Sequence, residues 1–88
     1  MDYVVCTFFL DPDSEMRGVA TMPADKVRIS YAGTHNLVNF YLSEKNWATY
    51  LCHRGEPIRV LPAQEAAELA GDLANQLYQA GKLIEQPR

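Results

Sequence analysis

The sequence predicts an α+β fold: a mostly antiparallel sheet of about four to six short strands, with one long C-terminal amphipathic helix packed on one face. Three observations carry this. Residues 62–85 place apolar side chains at helical spacing. Residues 3–10, 26–31 and 37–42 are rich in β-branched and aromatic residues over strand lengths. The segments between them are short and hold Gly, Pro, Asn and Asp, as connections between antiparallel neighbours do.

Residues 3–10 (YVVCTFFL) put Val4, Cys6, Phe8 and Leu10 on one face and Tyr3, Val5, Thr7 and Phe9 on the other. Both faces are largely apolar, so this strand is either central and covered on both sides or part of an association surface. Residues 11–15 (DPDSE) read as a turn initiated by Asp-Pro. Asp11, Asp13 and Glu15 alternate as the first ligands of a calcium loop do. Met16 stands where that loop needs glycine and Met22 where it needs glutamate, so no metal site is assigned.

Residues 17–22 pair back on the first strand, weakened or bulged at Gly18. Residues 23–25 (PAD) break the chain. In residues 26–31 (KVRISY), Val27, Ile29 and Tyr31 alternate with Lys26, Arg28 and Ser30, which predicts a half-buried strand with a basic outer face. After a turn at 32–36 (AGTHN), residues 37–42 (LVNFYL) direct Val38, Phe40 and Leu42 inward and Asn39 and Tyr41 outward. Residues 43–46 (SEKN) admit two readings: a hairpin turn into a strand over 47–52 (WATYLC), or the start of a short helix ending near Gly55. Trp, Thr and Tyr favour the strand, so the hairpin is preferred. Residues 53–56 (HRGE) form a turn, and 57–61 a final short strand with Pro57 at its first position.

The helix follows. Ala66, Ala70, Leu73, Leu77, Ala80 and Ile84 alternate by four and three and share one stripe, with Leu69 at its edge. Glu65, Glu68, Asp72, Asn75, Gln79 and Lys82 fall opposite. Pro62 suits the first helical position. Gly81 is available as a C-terminal cap, but Ile84 stays in phase beyond it, so the helix is expected to reach about Leu83. Three of the six stripe residues are alanine, which predicts a helix pressed flat on the sheet with Leu73 and Leu77 buried. One helix covers only a few strands. The other face is expected to stay open, with Tyr3, Val5, Phe9 and Tyr41 as its candidates and a partner or a second copy as its cover.

Eighty-eight residues make a single domain, 1–88, with 48% hydrophobic and 22% charged residues, as in an ordinary water-soluble domain. Net charge is −3, unevenly spread. Residues 1–16 carry four acids and no bases, 17–61 six bases and three acids, and 62–88 four acids and two bases. Two cysteines, Cys6 and Cys52, are too few for a disulfide scaffold and read as core thiols in a reducing compartment. The apolar run at 4–10 is too short to cross a bilayer, and Met-Asp-Tyr lacks a positive leader, so a cytoplasmic location without membrane association is expected.

No chemistry stands out. Cys52 and His53 are adjacent, and in a strand they point to opposite faces, so they do not converge as a nucleophile and base must. Two Cys and two His lack the paired spacing of a zinc finger. The glycines are dispersed and build no phosphate loop. No catalytic residue, metal or cofactor is assigned. Two surfaces are candidates for binding: an acidic helix face (Glu65, Glu68, Asp72) and a sheet face (Lys26, Arg28, Tyr41, Arg59). The leading expectation is a small non-enzymatic protein-binding module. It would be an inhibitor that blocks a larger protein or complex, by analogy of type with the anti-defence and anti-CRISPR proteins of phages and mobile elements. Its acidic face would compete for a basic nucleic-acid channel. A homodimer through the exposed sheet face belongs to the same class. The alternative is a nucleic-acid-binding regulator using the basic sheet face, which the negative net charge disfavours. A small enzyme or toxin-type nuclease using His35, His53 and arginines ranks third.

Overall fold

The computed structural model describes residues 1–10 and 13–84. Along the chain lie β1 (Asp2–Phe9), β2 (Arg17–Pro23), a 3-10 turn (Ala24–Lys26), β3 (Val27–Ala32), β4 (His35–Ser43), β5 (Asn46–His53), β6 (Arg59–Pro62) and α1 (Ala63–Gln79). The strand ladders are antiparallel, in the order β2-β1-β5-β4-β3, with β6 also paired to β1. The fold is therefore α+β with, among the described residues, one C-terminal α-helix, and residues 43–46 form a hairpin turn.

One edge of β1 serves two strands. Phe9 pairs with Leu51 of β5, and Val5 pairs with Arg59 of β6. The sum of partner numbers rises from 60 to 64 between these pairs, so four extra residues separate β5 from β6 along the same edge. The other edge of β1 pairs with β2 in unbroken register from Tyr3–Pro23 to Phe9–Arg17. Gly18 therefore marks no bulge. It makes room for Phe8, whose ring atoms would lie 2.3 Å from a Cβ built there.

The core lies on one face of the sheet. Val4, Cys6, Ala20, Met22, Val38 and Cys52 meet there, with Phe8, Val27, Phe40 and Tyr50 packed around them. The sheet curls around this face, and Ala24 of the 3-10 turn and Ile58 of the β5–β6 connection add to its packing. Val38 is 0% exposed without a helix above it. The helix sits on the opposite, outer face, over β1, β2 and β6. Val5 projects toward it and is 1% exposed, so it lies beneath the helix and belongs to no open second face. Tyr3 sits near Ala63, Ala66 and Ala67. The expected division into one covered and one bare face is thus corrected: the inner face is the core, and only the β3–β4–β5 half of the outer face is open.

Four local expectations change for identifiable reasons. The helix ends at Gln79 and not near Leu83, because Gly81 takes φ +70° and closes a Schellman cap. The Gly81 N–H donates to the Tyr78 carbonyl at 3.0 Å and the Lys82 N–H to the Leu77 carbonyl at 2.9 Å. Pro62 precedes the first helical residue and ends β6. Leu42 is a bulge residue between the Tyr41–Trp47 and Ser43–Asn46 pairs, so it turns outward to 54% exposure. Ile29 and Tyr31 are exposed, since β3 is an edge strand and the core thins beneath it.

Leu69, Leu73 and Leu77 are only half-buried, and Ala66 is the one fully buried helix residue. The helix meets the sheet closely at its alanine-rich start and stands off further along. Val38→Ala should therefore cost about 2–3 kcal/mol and Leu73→Ala only about 1–2 kcal/mol in urea unfolding. Equal or reversed costs would place the core under the helix instead.

Candidate functional site

Alternation along β4 sends His35, Leu37, Asn39 and Tyr41 to the outer face. Their partners on β5 are His53, Leu51, Thr49 and Trp47, and on β3 Ala32, Ser30 and Arg28 face the first three. This half of the sheet carries no helix. Its centre is polar and tied together: the Asn39 amide donates to the Ser30 hydroxyl at 3.2 Å and to the Arg28 carbonyl at 3.2 Å, and the Thr49 hydroxyl donates to Asn39 Oδ1 at 2.9 Å.

At one end of this strip stand Trp47, Tyr41 and Arg28. The Tyr41 and Trp47 rings meet edge to face with centroids 5.3 Å apart. The Arg28 guanidinium lies 6.0 Å from the Trp47 ring centre. Trp47 is 42% exposed. An aromatic pair of this kind contributes about 0.5–1.5 kcal/mol beyond its buried area. Here it holds a large, partly dry surface rigid without covering it.

At the other end Phe9 is buried beneath the Arg17 guanidinium, which lies 3.7 Å from its ring centre. His35 and His53 face each other across the β4–β5 pair with ring centroids 5.9 Å apart, and both abut Phe9. The Gly55 N–H donates to His53 Nδ1 at 3.0 Å, so a neutral His53 carries its proton on Nε2. Both histidines lie at strand ends, where the sequence placed turns. No group of three or more His, Cys, Asp or Glu among the described residues could hold a metal ion. Asp11, part of the calcium-loop comparison, lies outside the described residues.

Between α1 and the sheet runs a groove of about 420 Å³. Val5, Pro57, Leu69, Leu73 and Leu77 supply apolar walls, and Thr7, Arg17, Glu56, Gln76, Arg59 and Lys82 the polar groups. The Thr7 hydroxyl donates to the Glu56 carboxylate, and Arg17 Nε pairs with the same carboxylate at 3.4 Å. The guanidinium also donates to the Ser14 carbonyl at 3.2 Å. Partial exposure limits this ion pair to about 1 kcal/mol or less.

The two surfaces predicted from sequence fare differently. Glu65, Glu68 and Asp72 are all exposed on the helix, and none of them lines the groove or belongs to the open strip. Lys26, Arg28, Tyr41 and Arg59 do not form one patch. Arg28 and Tyr41 converge on Trp47, Lys26 sits on the 3-10 turn before β3, and Arg59 lines the groove. Trp47 was missed as a site residue for a physical reason. A regular hairpin with a two-residue turn would place it opposite Leu42, on the core face; the bulge at Leu42 shifts the register and brings it beside Tyr41. The groove was missed because helical spacing reports which residues face the sheet, not how far above it the helix sits.

Cys52 points into the core and His53 outward, as strand alternation requires. The Cys52 thiol is pushed up by its hydrogen bond with Cys6, by burial and by the charge of Glu56. The same hydrogen bond pushes the Cys6 thiol down, and both thiols are buried. No helix among the described residues is long and apolar enough to cross a membrane. Comparison with known protein families, characterised proteins and solved structures finds no match.

A thiol reagent such as Ellman's should react with neither cysteine in the folded protein at pH 8, and with both in denaturant. Rapid reaction in the native state would show an accessible thiolate and reopen the cysteine chemistry.

Proposed function

We propose that this is a non-enzymatic protein-binding module that occupies an acidic surface on a larger partner through the open β3–β4–β5 strip. The single observation that carries the reading is the exposed Trp47, held by Tyr41 and flanked by Arg28 on a hydrogen-bonded sheet. Trp, Tyr and Arg are the residues that dominate protein interfaces, and a rigid backing lowers the entropic cost of ordering them. Charge supports an acidic partner. Residues 25–54 hold Lys26, Arg28, Lys45 and Arg54 against Asp25 and Glu44. Inhibition of a larger complex, of the anti-defence or anti-CRISPR type, is one form of such a module; small size and acidity are its only support.

The same strip bears on the nucleic-acid reading. Base stacking needs free ring faces. Here Tyr41 and Trp47 engage each other, Arg28 approaches Trp47, Arg17 covers Phe9, and Arg54 lies 5.5 Å from the Tyr31 ring centre. The arrangement therefore favours a protein partner over single-stranded nucleic acid.

The test is differential capture, followed by titration of the purified partner. Trp47→Ala should weaken binding at least tenfold and Arg28→Ala several-fold, while reversal of Glu65, Glu68 and Asp72 to lysine should leave it within about twofold. Loss on the reversals alone would move the interface to the helix ridge. Tight binding of single-stranded RNA by the isolated chain at physiological salt would overturn the protein reading. Concentration-dependent dimerisation abolished by Trp47→Ala would make a second copy the partner.

A further inference from the structure

We infer that the groove between α1 and the sheet binds a linear aliphatic carboxylate, its chain along the leucines and its head group at Arg59. The groove is independent of the open strip: it lies under the helix, over β1 and β6. Its volume of about 420 Å³ falls within the range of roughly 300–1,000 Å³ for small-molecule sites. The shape follows from the helix. Leu69, Leu73 and Leu77 are four residues apart, so they form one row roughly 12 Å long. Val5 and Pro57 face that row. None of the lining residues is aromatic, so the walls suit a flexible saturated chain better than a flat ring.

The polar groups select charge and orientation. Glu56 is engaged by Thr7 and Arg17, which neutralises the one carboxylate in the lining. Arg59 and Lys82 make no ion pair among the described residues, which leaves an excess of positive charge at the walls. The two ends differ. Lys82 lies beside Arg17, whose backbone N–H donates to the Lys82 carbonyl at 2.7 Å, so that end also holds the Glu56 carboxylate. Arg59 stands across from Val5, further along β1. At the Lys82 end a carboxylate finds a point charge beside the Glu56–Arg17 pair; at Arg59 it meets a guanidinium suited to two parallel hydrogen bonds. The half-buried leucines have the same explanation: a bound chain would cover apolar surface that the helix leaves uncovered.

The experiment is an NMR and calorimetric titration of the full chain with decanoate, below its micelle concentration, against decan-1-ol as the uncharged match. Saturable 1:1 binding is expected, with shift changes confined to Val5, Arg59 and residues 69–77. Arg59→Gln, at an exposed position that leaves the fold intact, should weaken decanoate at least tenfold, and Lys82→Gln less than threefold. Leu73→Trp, where it folds, should fill the groove and abolish binding. Absence of saturable binding, equal affinity for decan-1-ol, or an unchanged affinity in Arg59→Gln would overturn the assignment, as would shifts centred on Trp47 and Tyr41. Partner capture that depends on Trp47 would survive any of these failures, so the two readings fall separately.

Discussion

The structure depends on the two-sided burial of β1. Its backbone is paired along both edges, to β2 on one side and to β5 and β6 on the other. Its side chains are covered on both faces: Val4 and Cys6 by the curled sheet, Val5 by the helix. β2 also lies between core and helix, with Ala20 and Met22 inward and Val19 and Thr21 toward α1, but it ends the strand order, whereas β1 has strands along both edges. Because the side-chain period of a strand is two, a one-residue slip would exchange every inner and outer residue of β1. Both faces are apolar, so hydrophobicity alone would resist that slip weakly. The small residues across the β1–β2 pair, Ala20 and Gly18 opposite Cys6 and Phe8, supply the shape that fixes it.

Much of this was legible in the residues. The run YVVCTFFL announced a strand with two apolar faces, but not whether the second is covered; Arg28 and Ser30 of KVRISY and Asn39 and Tyr41 of LVNFYL announced their outward placement; WATYLC favoured a hairpin over a helix. What stayed hidden was geometry of the second order. Alternation tells which side chains share a face but not that the sheet will curl until one face becomes its own core. The Gly81 cap competed with the in-phase Ile84, and the left-handed glycine won because it satisfies the last helical carbonyls. The Leu42 bulge left no trace in the alternation pattern, yet it decides which face Trp47 occupies. Arg59 reads as one more sheet cation until the path of the helix is known.

Charge is separated across the molecule. The acids of α1 face solvent on the side where the helix lies, while Arg28 and its neighbours occupy the part of the sheet that the helix leaves bare. A net charge of −3 therefore describes neither surface. Such a distribution orients the molecule in the field of a charged partner before contact, an effect that weakens as salt shortens the Debye length.

The segment after α1 returns to the sheet. Arg17 donates its N–H to the Lys82 carbonyl and accepts from the Ile84 N–H at 2.8 Å, forming a parallel bridge at Leu83 on the edge of β2. At its other end α1 continues directly from β6, which is paired to β1. The helix is thus anchored to the sheet at both ends while its middle stands clear. A strap held at two points cannot swing away as a lid does; it opens by releasing a backbone bridge. In the language of amide exchange, its central turns belong to the same cooperative unit as the strands that anchor it, despite their thin packing.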